Sequence, residues 1–337
     1  MQEGEPHTTI PTPEQAATTI GPLRAAACGL AMGTADAVPG VSGGTIALIL
    51  GIYDRFIGAL GDVVGVLRNP TDGARWKTLI EAMKFLVPLG AGAAIALFVA
   101  TKLLVGEAPK PQSAEEAHLM FASLKVEPKG GWLVRWDTGP IVFAFFFGLV
   151  LASIREPWKE RRTHRNVDFL FAAIGAAAAV TLSLSQPGGG STAPLALLGA
   201  GAVAVSVMLL PGVSGSLALL VLGMYQVVTG AIHAKEWTTL AYFATGMVAG
   251  VALFVPLLKL LLAKQHDRTM ALLSGLMAGS LAALWPWKTH YLPKFIPYEG
   301  AMTPVAPSGS WWWPVLAAVA GAAVITLASR WANRVSD

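Results

Sequence analysis

Two short segments of this 337-residue chain carry the residue types that could hold a charged group. The first is Val38-Pro39-Gly40-Val41-Ser42-Gly43-Gly44, followed by Thr45; the second is Leu210-Pro211-Gly212-Val213-Ser214-Gly215-Ser216. Proline can disrupt an incoming helix or begin an outgoing one. The glycines allow turns closed to other residues and let a ligand approach the backbone. Behind them a second helical arm starts, and its N–H groups and positive dipole end suit an anion. Ser42, Thr45, Ser214 and Ser216 add hydroxyl donors. Phosphate matches such a donor set best. Pro39, Gly40, Gly43 and Gly44 in the first loop, and Pro211, Gly212 and Gly215 in the second, complete the candidate binding set, together with Asp36 just upstream.

The composition says where such loops must sit. Hydrophobic residues make up 54% of the chain and charged residues 13%, with a mean hydropathy of +0.57. Soluble domains carry about 25% charge. These figures exclude disorder, collagen and a disulfide scaffold. The one cysteine, Cys28, cannot form an internal disulfide, and no histidine shows metal spacing, so neither metal nor cofactor is expected. Twenty-four Lys and Arg against 20 acids are too even for a nucleic-acid partner. The chain reads as an all-α integral membrane protein whose partners are the bilayer and an anion.

Runs long enough to span a bilayer lie at about 79–105, 138–154, 167–184, 238–263, 269–285 and 311–329. Regions 23–60 and 194–232 are each a pair of apolar arms broken by one of the two loops. Eight to ten hydrophobic helices follow, whether the hairpins are re-entrant or fully spanning. All eleven tryptophans fall at or near a proposed helix end, where an indole ring is half buried and its N–H wet. Gly29/Gly33, Gly246/Gly250 and Gly275/Gly279 are spaced for close helix packing in lipid. Residues 1–20 read as a flexible tail without the features of a cleaved signal.

The chain also repeats itself. Residues 38–60 and 210–232 share eleven identities, including Gly51/Gly223, Tyr53/Tyr225 and Gly58/Gly230. Ala96-Leu97-Phe98-Val99 then matches Ala252-Leu253-Phe254-Val255, and Gly148-Leu149 matches Gly275-Leu276. Each repeat is a hairpin plus three spans. Because three is odd, the second repeat enters the membrane from the opposite side, which is the inverted architecture of many transporters. The boundaries expected are 21–185, with a polar insertion at 106–137, and 186–337. Loops on one side of this arrangement hold twelve Lys/Arg in 42 residues, and those on the other hold seven in 71. The basic side, with both termini, is expected in the cytoplasm.

Charges near the hairpins have competing readings. Asp36 is either a proton-linked acid, an acid orienting a basic partner, or a cap at a wet loop, and its repeat position is Met208. Asp54 and Arg55 are replaced by Gln226 and Val227, so no symmetric role suits them. Lys102 and Lys259 read as snorkelling to headgroups and Arg24 as an interface anchor. A proton or sodium ion as coupling partner stays open.

The block Gly33-Thr34-Ala35-Asp36-Ala37-Val38-Pro39-Gly40-Val41-Ser42-Gly43-Gly44-Thr45 with Gly51-Ile52-Tyr53 resembles the signature of a bacterial membrane family long catalogued as a domain of unknown function. The second loop, Gly275-Leu276-Met277-Ala278-Gly279-Ser280-Leu281 and Trp285-Pro286-Trp287 are similar to its second half. The resemblance implies a polyprenyl-phosphate translocase of the inner membrane, which returns undecaprenyl phosphate to the cytoplasmic leaflet for cell-wall synthesis. Undecaprenyl-pyrophosphate phosphatases share broken helices and Pro-Gly-x-Ser loops, but they carry a loop arginine and paired glutamates. Here Ser42-Gly43-Gly44 and Ser214-Gly215-Ser216 contain no arginine. Hydrolysis would lack its usual charge stabilisation. A carrier of small anions would use the same site.

Overall fold

In a computed structural model, the described residues are 20–37, 41–104, 138–163, 165–185, 190–288, 304–307 and 309–336. They form thirteen helices and, among the described residues, no strand beyond an isolated bridge between Lys288 and Pro304. The tail 1–19 and the whole polar insertion 106–137 lie outside them, as do Pro39 and Gly40.

The first hairpin region is α1 (Pro22–Asp36), α2 (Gly43–Ile49) and α3 (Tyr53–Arg68). Its second arm is therefore two helices rather than the single arm expected. Gly51, at φ +67°, adopts a left-handed turn that breaks it. The second hairpin region breaks in the same way. After α4 (Gly73–Leu104), α5 (Gly139–Ser153), α6 (Arg155–Lys159) and α7 (Asn166–Leu184) come α8 (Pro194–Met208), α9 (Gly215–Val221) and α10 (Tyr225–Ala234), with Gly223 at φ +71° between the last two. The chain ends with α11 (Trp237–Lys264), α12 (His266–Ser280) and α13 (Trp312–Ser336). The run at 269–285 is shorter as a helix than expected, because residues 281–284 form turns.

Among the described residues, four helical stretches are long and apolar enough to cross a membrane: Gly73–Ala100, Gly139–Lys159, Asn166–Leu184 and Trp237–Lys264. Their outward faces carry large apolar side chains such as Ile95, Phe98, Phe169 and Leu253. In water that surface would drive association; in lipid it needs no cover. Pro256 interrupts α11 and cannot donate to the carbonyl one turn back. That carbonyl, of Ala252, accepts instead from Arg68 Nη2 at 2.9 Å, which ties α3 to α11.

Small residues set the helix pairing. In the pair α1–α4, Gly29 lies against Leu89 and Ala93, and Gly92 lies against Ala26. In α8–α11, Gly201 lies against Phe243 and Met247, and Gly246 against Leu198. In this register Ala96 corresponds to Gly250, not to Ala252 as the sequence match suggested. A second set of contacts crosses between the halves. In α5–α13, Gly148 meets Ala318 and Gly321 meets Phe145; in α7–α12, Gly275 meets Ala172 and Gly175 meets Leu272. Backbones come this close only where no side chain intervenes. Helices α5 and α7 thus pack on α13 and α12, far along the chain.

Candidate functional site

The two loops meet. Ser42 is the N-cap of α2, where its Oγ accepts from the Gly44 N–H at 3.1 Å. The same hydroxyl donates to the Met208 carbonyl at 3.4 Å, at the end of α8. The Gly212 N–H donates to Thr45 Oγ1 at 2.8 Å, and Tyr53 Oη donates to the Leu209 carbonyl at 2.9 Å. Ser42 and Thr45 are fully buried, and Ser214 nearly so. The last three pairs lie 156 to 167 positions apart, so packing alone brings them together.

Asp36 ends α1, and its Oδ1 accepts from the Gly43 N–H at 2.6 Å. This is the geometry of a cap on the Gly43 N–H. This carboxylate stands at the start of α2, where an external anion was expected. The second loop differs. There Met208 takes the place of Asp36, and its Cβ lies against Gly215. The Ser214 and Ser216 hydroxyls bond each other at 2.7 Å. Ser216 is exposed, whereas Gly44, its counterpart in the first loop, is buried.

Gly212 requires its glycine twice over. Its φ is +89°, which side chains resist. A Cβ there would also stand 2.6 Å from the Met277 nitrogen of α12. The second loop is therefore pressed between the first hairpin and α12. Pro211 is buried in the turn that precedes it.

Of the candidate residues, the structure gathers Asp36, Ser42, Gly43, Gly44 and Thr45 with Gly212 in one contact region, and Ser214, Gly215 and Ser216 continue from it. The N–H groups of Gly43 and Gly44 are already engaged by Asp36 and Ser42. Lys259 is exposed, with its side chain lying along Gly61, and Arg55 sits 5.6 Å from the Phe85 ring centre; neither belongs to the loops. Sequence reasoning missed Tyr53 as a site residue. Its signal was available, since Gly51-Ile52-Tyr53 recurs as Gly223-Met224-Tyr225.

These features define a helical membrane protein with two matched helix breaks packed against each other. The chain belongs to the undecaprenyl phosphate translocase-like family, whose model matches residues 32–114 and 133–294. It is similar to the polyprenyl-phosphate transporter of Vibrio cholerae serotype O1, at 36% identity over 77% of this chain and 76% of that protein. It is also similar to the polyprenyl-phosphate transporter of Staphylococcus aureus, at 28% identity over 77% of this chain and 84% of that one. No solved structure matches it. The resemblance read from the first loop is thereby borne out, and these names indicate a transporter rather than an enzyme.

Proposed function

We propose that this protein moves undecaprenyl phosphate from the outer to the cytoplasmic leaflet of the bacterial inner membrane for reuse in envelope synthesis, without hydrolysing it. The observation that carries the reading is the contact between the start of α2 and the turn after α8, through Thr45 with Gly212 and Ser42 with Met208. In this reading the chain is two inverted-topology repeats, 21–185 and 186–337, with both termini cytoplasmic. The corresponding glycine contacts of α1–α4 with α8–α11, and of α5–α13 with α7–α12, support it. So does the concentration of basic residues in 155–166.

The headgroup is held between the loops as their tips part. Ser42 and Ser214, with Ser216, then exchange their intramolecular partners for phosphate oxygens. Each hydrogen bond to a charged group contributes roughly 1.5–3 kcal/mol, so loss of one hydroxyl weakens binding about tenfold or more. The isoprenoid tail stays in lipid while rocking of one repeat against the other exposes the headgroup to each leaflet in turn. Gly43→Val fills the approach and also meets the Asp36 carboxylate, 2.6 Å from where its Cβ would stand.

A leaflet-resolved assay of undecaprenyl phosphate with purified protein in vesicles tests the reading. Movement should occur in the parent and fall in Ser42→Ala and Ser214→Ala at unchanged amounts of folded protein. Equal movement in both variants would mean that the loops only pack. Steady release of inorganic phosphate from undecaprenyl pyrophosphate would instead point to an enzyme, and uptake of inorganic phosphate to a small-anion carrier. Imposed proton or sodium gradients in the same vesicles identify a coupling ion.

A further inference from the structure

We infer that Tyr53, acting with Thr45, is a positioning residue for the headgroup site: it holds the main chain of the second loop so that Ser214 is presented correctly. The inference rests on the functional reading above. Tyr53 opens α3 directly after the reversal at Gly51 and is 2% exposed. It lies in the first hairpin, yet its hydroxyl reaches the Leu209 carbonyl 156 positions away. That carbonyl follows the last residue of α8 and precedes Pro211, so the helix ladder has stopped and a donor must come from elsewhere.

Thr45 holds the next point of the loop through the Gly212 N–H. On the far side, Gly212 presses on the main chain of Leu276 and Met277 in α12. The segment from Leu209 to Gly212 is thus gripped from two directions, and Ser214 lies two residues beyond it. The position matching Thr45 in the second loop is Leu217, which has no hydroxyl to return the Thr45 bond.

Tyr53→Phe keeps the ring and removes only the hydroxyl. In the full-length protein in vesicles, its Kd for undecaprenyl phosphate should rise about fivefold or more, the scale of one lost hydrogen bond. A cysteine at Ser214→Cys, in a Cys28→Ala background, should react several-fold faster with a water-soluble maleimide once Tyr53→Phe is added. Thr45→Val should act alike, and Thr45→Ser, which restores a hydroxyl, should recover most of the loss. If Tyr53→Phe and Thr45→Val lower thermal stability but leave Kd and labelling at the parent's values, both residues merely pack and the inference fails. Ser214→Ala, measured alongside, reports on the functional reading separately: unchanged binding there overturns that reading, whatever Tyr53 does.

Discussion

The Asp36 carboxylate accepts the Gly43 N–H at 2.6 Å, which places a negative charge at the start of α2, beside Ser42. The second loop has Met208 in the same place and receives no such charge. The two loops are alike in sequence and unlike in electrostatics.

Replacing Asp36 separates its two effects. Asp36→Ala removes an acceptor from a buried N–H and should cost about 1–3 kcal/mol of stability. Asp36→Asn keeps an acceptor while removing the charge, so it should cost less and should strengthen binding of undecaprenyl phosphate by reducing repulsion. Thermal unfolding in detergent and vesicle binding measure the two. Unchanged binding by Asp36→Asn would place the headgroup away from this carboxylate, and weaker binding would mean that the charge supports it.

The glycine contacts between halves should tolerate no side chain. A Cβ on Gly275 would overlap the Ala172 carbonyl, and one on Gly148 would overlap that of Ala318. Overpacking of this kind typically costs about 1–3 kcal/mol, or more against backbone. Gly275→Ala and Gly148→Ala should each lower the melting temperature of purified protein. Gly90→Ala, in α4 with nothing near its Cβ, should leave it unchanged or raise it slightly.

Arg161 and Asp168 form a buried ion pair at 3.0 Å, with the guanidinium stacked 3.4 Å from the Trp158 ring centre. Breaking a buried pair from one side leaves a charge in a dry place and costs about 3–5 kcal/mol. Arg161→Ala should therefore destabilise strongly. Arg161→Ala combined with Asp168→Ala should recover part of the loss, which thermal unfolding of all three variants will show.

Asp267 latches the turn after α6 onto the start of α12. The Thr163 hydroxyl and the N–H groups of Arg162 and Thr163 donate to its carboxylate and hold its pKa down, from 3.8 to about 2. A carboxylate with a depressed folded pKa stabilises above its unfolded value and loses that contribution as pH falls through the folded one. The latch should thus be complete above about pH 4 and lost toward about pH 2. Protease cutting within 161–165 should rise over that window in the parent, while Asp267→Asn should cut at the higher rate throughout.

Much of the architecture was legible in the chain itself. Apolar runs at 138–154, 167–184 and 238–263 became α5, α7 and α11 almost residue for residue, because an unbroken apolar run in lipid has to close its hydrogen bonds as a helix. The break after Ile49 was harder to see. It depends on Gly51 taking a positive φ, and glycine permits that conformation without demanding it.

Residue types and their order therefore specified the solvent of this protein, its apolar helices and the two loops of matching composition. Those are properties of each segment in relation to lipid and to its own backbone. The roles within the loops came only with packing. That Thr45 meets Gly212 across 167 positions, and that Tyr53 reaches Leu209 across 156, follows from the helix register set by glycine contacts such as Gly29 against Leu89. A hydrogen bond requires its partners within about 3 Å, and periodicity along the chain carries no information at that scale about two helices far apart in sequence.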